Sequence, residues 1–169
     1  GVLNGEVTPG DTVAIIGAGP IGLAACLLAQ LHSPSMTIAI DLEVPRLELA
    51  RQFGADETIQ SGVEDVMERV MELTHGAGVD VAMEAVGIPE TFELCADLVR
   101  PGGRVANIGV HGGPASLHLE RLWAKNIAIT TRLVDTVSLP QLIKLLQARR
   151  FDPSKFITHT FPLAETMQA

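Results

Sequence analysis

Three glycines near the start of the chain are spaced to bind a diphosphate. Gly17, Gly19 and Gly22 form the pattern G-x-G-x-x-G between a β-branched run and a run typical of a helix. Gly17 suits a tight turn, Gly19 lets a diphosphate approach the backbone, and Gly22 lets the helix pack closely on the strand. The start of the following helix offers free N–H groups and a partial positive charge. The pattern predicts a dinucleotide site.

One acidic residue lies where the ribose of such a ligand would arrive. Asp41 follows Gly22 by about 20 residues, the spacing expected of a ribose-binding carboxylate at the end of the second strand. Because a carboxylate repels a 2′-phosphate, we expect NAD rather than NADP. Arg46 is predicted to bind the ribose from the other side. Without the glycines, Asp41 would be interpreted as a cap for the following helix. The alternative for the glycine pattern is a simple turn.

The elements that position these residues alternate along the chain. Short apolar runs typical of buried parallel strands are separated by amphipathic runs typical of helices. This order predicts an α/β fold, a doubly wound parallel six-stranded sheet of the Rossmann type, with a C-terminal helical and strand appendix. The predicted strands lie at residues 12–16, 37–40, 58–59, 79–85, 104–110 and 127–133. The predicted helices lie at residues 20–32, 46–54, 63–73, 89–98, 139–150 and 164–169.

Composition narrows the classes of partner. The net charge of −8 argues against nucleic acid, whose phosphates an acidic surface repels. The longest apolar runs are shorter than the roughly 20 residues that span a bilayer, so no membrane association is expected. Cys26 and Cys95 fall inside helical patterns without metal or redox spacing, which favours buried thiols in a cytoplasmic protein. The histidines are scattered, so no metal site is predicted.

Several longer blocks resemble the cofactor-binding region of zinc-dependent medium-chain alcohol dehydrogenases. The likeness extends over nearly the whole chain and is more specific than the glycine pattern. The blocks are GEVTPGDTVAIIGAGPIGL, DLEVPRLELARQFGAD, VDVAMEAVG, LVRPGGRVANIGVHG and ITHTFPL.

This resemblance implies an oxidoreductase that transfers hydride between an alcohol or aldehyde substrate and NAD. It places Pro20 and Ile21 on the diphosphate with the three glycines. At the nicotinamide it places six residues: Ala85, Val86, Ile108, Gly109, Val110 and Leu133. Each lies at the carboxyl end of a predicted strand, where open α/β sheets bind ligands. Glu84, which ends the fourth strand, is expected to order the following loop by accepting hydrogen bonds.

The resemblance also implies two regions: a dinucleotide-binding domain at residues 1–133, and a segment at 134–169 that belongs to an otherwise absent catalytic lobe. The family's zinc ligands would lie mainly upstream of Gly1, so zinc is expected only in a full-length enzyme. The ends of the chain lack capping signals. We therefore expect a fragment that is inactive alone, and the substrate is left open.

Two alternatives are a stand-alone dinucleotide-binding or redox-sensing module without catalysis, and a flavin-binding domain, for which the glycine block is also suited. The blocks of the second half favour nicotinamide. The sixth strand would leave an apolar edge, and related enzymes dimerise through this domain, so a homo-oligomer is expected.

Overall fold

The chain folds around a parallel β-sheet, as seen in a computed structural model that describes residues 1–133, 136–157 and 159–168. Its residues fall into two units, 1–133 and 134–169. In the described part of the first unit the strands are β1 (Thr12–Ile16), β2 (Met36–Asp41), β3 (Glu57–Gln60), β4 (Val79–Glu84), β5 (Val99–Asn107) and β6 (Ala128–Thr131). Five α-helices accompany them: α1 (Pro20–Ala29), α2 (Val44–Gln52), α3 (Val66–Leu73), α4 (Pro89–Leu98) and α5 (Leu119–Leu122). Two short 3₁₀ helices, Gln30–His32 and Trp123–Lys125, follow α1 and α5.

The six strands lie in the order β3-β2-β1-β4-β5-β6, and all five pairings are parallel. This order is that of a doubly wound sheet and confirms the predicted Rossmann-type fold. The central strands are apolar along their length because helices cover both faces; Val13, Ala14, Ile15, Val81 and Ala82 are almost completely buried.

The second unit is small. Its described residues form α6 (Leu139–Gln147) and two short 3₁₀ helices (Pro153–Phe156 and Leu163–Glu165), with no strand among them. The predicted strand content of the appendix and the helix predicted over 164–169 are therefore wrong for the described residues. Val134, where the second region was predicted to begin, and Thr158, in the ITHTFPL block, lie outside the described residues.

Several element boundaries in the first unit also differ from the prediction, and two of these differences have a clear local cause. α3 begins at Val66 rather than residue 63, because the Asp65 carboxylate caps it by accepting from the Glu68 N–H at 3.0 Å. β5 begins at Val99 rather than residue 104. Val99 pairs with Val79 and Arg104 with Val81, so residues 100–103 leave the ladder within the strand and then rejoin it.

No helix in the described part of the chain is both long and apolar enough to span a membrane.

Candidate dinucleotide-binding site

The strand order reverses between β1 and β4, and the loops that follow these two strands meet there. The Ala85 N–H, just past β4, donates to the Ile16 carbonyl at the end of β1 over 2.9 Å. A sheet of this topology forms its crevice beyond the carboxyl ends of the strands on either side of the reversal. The glycine loop after β1 therefore opens into this crevice.

The three glycines of the loop occupy different environments. Gly17 has a φ of +96°, which favours glycine, and its N–H donates to the Ile40 carbonyl at 2.8 Å. A Cβ on Gly22 would lie 1.7 Å from the Gly17 carbonyl oxygen, so only glycine lets α1 come this close to the loop. A Cβ on Gly19 would meet no atom within 4 Å. The fold thus requires Gly17 and Gly22, whereas the space at Gly19 stays open for a ligand.

The start of α1 adds the electrostatic part of the cradle. Its first turn, Pro20 to Leu23, is uncharged, and Pro20 has no N–H to leave unpaired. Ile21 is 56% exposed, so it lies at the surface of the crevice. The partial positive charge of this ten-residue helix is therefore not neutralised within its own first turn, and an anion at Gly19 would be favoured.

Asp41 is nearly buried, with 8% of its surface exposed, and binds two backbone segments. Its Oδ2 accepts from the Ala18 N–H of the glycine loop at 2.7 Å, and its Oδ1 accepts from the Glu43 N–H at 2.9 Å. Arg46 Nη1 lies 3.7 Å from Oδ2. Asp41 thus ties the glycine loop to the N-cap of α2. Since each carboxylate oxygen can accept more than one hydrogen bond, the group can also bind ribose hydroxyls.

Five residues expected at the nicotinamide lie on the loops after β4 and β5: Ala85, Val86, Ile108, Gly109 and Val110. The Ile108 and Gly109 N–H groups both donate to the Glu84 backbone carbonyl, at 2.8 and 3.0 Å. A Cβ on Gly109 would lie 2.3 Å from the Gly87 nitrogen, and one on Gly87 would lie 2.5 Å from the Val110 carbonyl oxygen. The two loops are therefore in close backbone contact.

Leu133 is the expected site residue that the structure sets apart. It lies two residues beyond β6, at the outer edge of the sheet, and is 80% exposed. Leu133 is therefore one strand farther from the crevice than the residues after β5, and two strands farther than those after β4.

Glu84 is completely buried at the end of β4. Its Oε1 accepts from the Val86 and Gly87 N–H groups at 2.8 Å and from the Thr91 hydroxyl at 2.7 Å. This confirms the expectation that Glu84 orders the loop after β4. Its Oε2 faces His111 Nε2 at 3.4 Å, a contact that the sequence reasoning missed.

The two cysteines are buried free thiols, as predicted. Burial raises the pKa of Cys26 to about 12 and raises that of Cys95 well above its ordinary value, with the charge of Glu84 adding to the shift at Cys95. Both thiols stay protonated at neutral pH, so neither supplies a nucleophilic thiolate in the folded state.

No group of three or more histidine, cysteine or acidic side chains in the described part of the chain could hold a metal ion. These residues therefore do not fit the zinc that the sequence resemblance implies, and no chemical step through zinc follows from them. They do fit a dinucleotide, because the space at Gly19, the start of α1 and the Asp41 carboxylate converge on one crevice.

The sheet order and the glycine loop place the chain in the Rossmann class, and comparison with known proteins gives its family. The zinc-binding dehydrogenase family profile matches residues 20–148. The chain belongs to this family.

Individual relatives agree. An alcohol dehydrogenase of Cupriavidus necator is 34% identical over all of this chain and 47% of its own length. The NADP-dependent isopropanol dehydrogenase of Thermoanaerobacter brockii is 32% identical over 92% of this chain and 46% of its own length. The solved apo structure of zinc dependent alcohol dehydrogenase 2 from Streptococcus pneumonia is 49% identical, with a TM-score of 0.96 over 99% of this chain and 49% of that one. The chain thus spans about half the length of the relatives it matches.

Proposed function

We propose that this chain is the NAD-binding part of an alcohol dehydrogenase, in which hydride passes between an alcohol and NAD. The observation that carries the proposal is the open space at Gly19. The glycine turn, the uncharged start of α1 and the nearly buried Asp41 carboxylate lie around it. Membership of the zinc-binding dehydrogenase family and the names of the relatives supply the reaction class.

In this proposal the residues of the chain bind and orient the cofactor. The backbone around Gly19 and the start of α1 bind the diphosphate, and Asp41 accepts hydrogen bonds from the adenosine ribose with Arg46 alongside. The loops that contain Ala85, Val86 and residues 108–110 face the nicotinamide, where their apolar side chains exclude water. When bound, the nicotinamide ring supplies the hydride acceptor or donor.

The preference for NAD over NADP rests on Asp41. Its carboxylate is held in place by two backbone N–H groups, so it cannot turn away from a 2′-phosphate without breaking them. The exposed Arg46, 3.7 Å from this carboxylate, is already near an anion. A relative named as NADP-dependent makes NADP the competing outcome.

We further propose that zinc, the proton relay and the substrate pocket come from residues outside this chain, and that residues 134–169 belong to that second lobe. The observation behind this is the lack of a three-ligand cluster among the described residues. The chain incubated with zinc, NAD and a panel of alcohols is then expected to show no turnover; measurable turnover would contradict this.

Self-association through the edge of the sheet is the proposed assembly. β6 is an outer strand, and its ends, Ala128 and Thr131, are exposed. Replacing Ala128→Lys puts a charge on this edge, and sedimentation should then show a smaller species than the unaltered chain. The two buried free thiols support a cytoplasmic location.

The first test is a parallel titration with NADH and NADPH. Energy transfer from the exposed Trp123 to the reduced nicotinamide and the shift in melting temperature report binding independently. Tighter binding of NADH is expected. Equal binding of both would contradict the assigned role of Asp41, and binding of neither would contradict the proposed function of this chain.

A further inference from the structure

A second buried carboxylate lies in the crevice, and the glycine loop does not use it. Glu84 has no exposed surface, and its Oε1 is saturated by two backbone N–H groups and a hydroxyl. Its Oε2 is also buried, yet among the described residues it has no hydrogen-bond partner. A buried carboxylate oxygen without a partner is costly, so its retention calls for a physical reason.

The ring of His111, on the loop after β5, faces Glu84 Oε2, with its Nε2 at 3.4 Å. The same His111 Nε2 lies 2.9 Å from Asn107 Oδ1. The Asn107 side-chain nitrogen donates to the Gly109 carbonyl at 3.2 Å, so its oxygen must be the atom that faces the ring. Both neighbours of Nε2 are acceptors, and therefore Nε2 carries the proton. It donates this proton to Asn107 Oδ1, and Glu84 Oε2 lies beside the same N–H group.

Strands hold two members of this group, and a helix packs against the third. Glu84 and Asn107 are paired across β4 and β5. The His111 ring packs edge-on against Phe92 of α4, with ring centroids 6.2 Å apart, and its side chain is 18% exposed. The group thus links the loop after β4 to the loop after β5, at the point where Gly87 and Gly109 bring their backbones together.

We propose that Glu84 and His111 act as a pair of positioning residues that sets the spacing of the two loops facing the nicotinamide. This inference rests on the proposed dinucleotide site and deepens it. Glu84 already holds the loop after β4 through its Oε1. The hydrogen bond between His111 Nε2 and Asn107 Oδ1 holds the ring on the loop after β5, 3.4 Å from the other oxygen of the same carboxylate. The pair acts on the nicotinamide half of the cofactor and leaves the adenosine half to Asp41.

The variants Glu84→Gln and His111→Phe separate this role from folding. Glutamine keeps an oxygen for the N–H groups of Val86 and Gly87 but turns its amide N–H groups toward His111, where two donors then face each other. Phenylalanine keeps the ring against Phe92 and removes the donor. Asp80→Asn is the matched control, because Asp80 is also a carboxylate of β4 but lies near the start of this strand, whereas Glu84 lies at its end.

The test compares two ligands, NADH and ADP-ribose, which lacks the nicotinamide. Each single variant is expected to bind NADH about fivefold more weakly and ADP-ribose within about twofold of the unaltered chain. The double variant should be no weaker than either single one, because the two residues act as a unit. Asp80→Asn should change neither affinity.

Equal losses for NADH and ADP-ribose would reduce the pair to a purely structural role and overturn the inference, as would additive losses in the double variant. If Glu84→Gln fails to fold, His111→Phe alone decides between these results. An unaltered chain that binds ADP-ribose no less tightly than NADH would overturn the inference while the adenosine site stands. An unaltered chain that binds neither ligand would overturn the proposed function, and this inference with it.

Discussion

Carboxylates lie at both the amino edge of the sheet, where its strands begin, and the carboxyl edge, where its strands end. The carboxylates at the two edges bind different partners. At the amino edge, Asp80 accepts from the Thr12 N–H at 2.7 Å and pairs with Arg100 Nε at 2.6 Å, while Asp56 accepts from the Thr37 N–H at 2.7 Å. These partners are residues of β1, β5 and β2. The amino-edge carboxylates therefore hold strands together where they begin.

At the carboxyl edge, Asp41 and Glu84 bind the N–H groups of the loops that follow the strands. Both are nearly or completely buried, whereas the Asp80 side chain is 23% exposed. The same type of residue thus supports the sheet at one edge and shapes the crevice at the other. The comparison predicts that substitutions at the two edges affect stability and cofactor binding separately.

The largest effect is expected within the glycine loop. Gly22→Ala should lower the free energy of unfolding by about 3 kcal/mol, because its Cβ would collide with the Gly17 carbonyl. Gly19→Ala should change stability by less than about 1 kcal/mol yet weaken NADH binding at least roughly tenfold. Urea unfolding and NADH titration of both variants measure this. Unchanged NADH binding by Gly19→Ala would show that the open space is not the diphosphate site.

A smaller effect is expected at Asp41. Asp41→Asn removes the negative charge that opposes a 2′-phosphate, so the preference for NADH over NADPH should narrow by about tenfold, or about 1.4 kcal/mol. Asp56→Asn, at the amino edge, is the control and should leave the preference unchanged. Dissociation constants for both cofactors give the ratio. An undiminished ratio in Asp41→Asn would assign the preference to another residue.

The amino edge should show the reverse behaviour. Asp80→Asn weakens the bonds to Thr12 and Arg100 and should lower the free energy of unfolding by about 1 kcal/mol, with NADH affinity unchanged. Chemical unfolding together with NADH titration measures both quantities. A loss of cofactor affinity in this variant would break the separation between the two edges.

The smallest effect concerns the core between the edges. The pKa of Cys26 is raised to about 12 in the folded state against an ordinary 9.0, so its contribution to stability is complete below about pH 9 and is lost as the pH rises toward 12. Between about pH 7 and pH 9.5 this one thiol should account for a loss of roughly 0.8 kcal/mol. The free energy of unfolding of Cys26→Ala, measured at both pH values, should therefore fall by roughly 0.8 kcal/mol less than that of the unaltered chain. An equal fall in both proteins would contradict the raised pKa of Cys26.

Local patterns predicted the fold because the central strands are short apolar runs followed closely by a glycine, β1 by Gly17 and β4 by Gly87. The glycine loop and Asp41 were also predictable from local patterns, because both lie within one continuous strand–helix–strand segment of the sequence. The start of β5 was not, because Pro101, Gly102 and Gly103 are typical of a turn, and only the pairing of Val99 with β4 shows that the strand began before them.

The Glu84–His111 contact was missed for a different reason. The two residues are 27 positions apart, and nothing in the spacing shows that β4 and β5 place them together. The one available signal was the position of His111 directly after the segment 108–110, already predicted to face the cofactor. Contacts across neighbouring strands depend on register, which a single sequence does not reveal.

Residues 100–103, which leave the ladder of β5, provide a site where additional residues can be inserted. Pro101 and Gly102 are exposed, and the segment departs from β5 at the amino edge, the full height of the sheet away from the glycine loop. The ladder resumes at Arg104 whatever the length of the departure, since the pairs on either side are already formed. A fluorescent reporter or an affinity tag spliced between Pro101 and Gly102 would therefore follow the protein without obstructing its crevice.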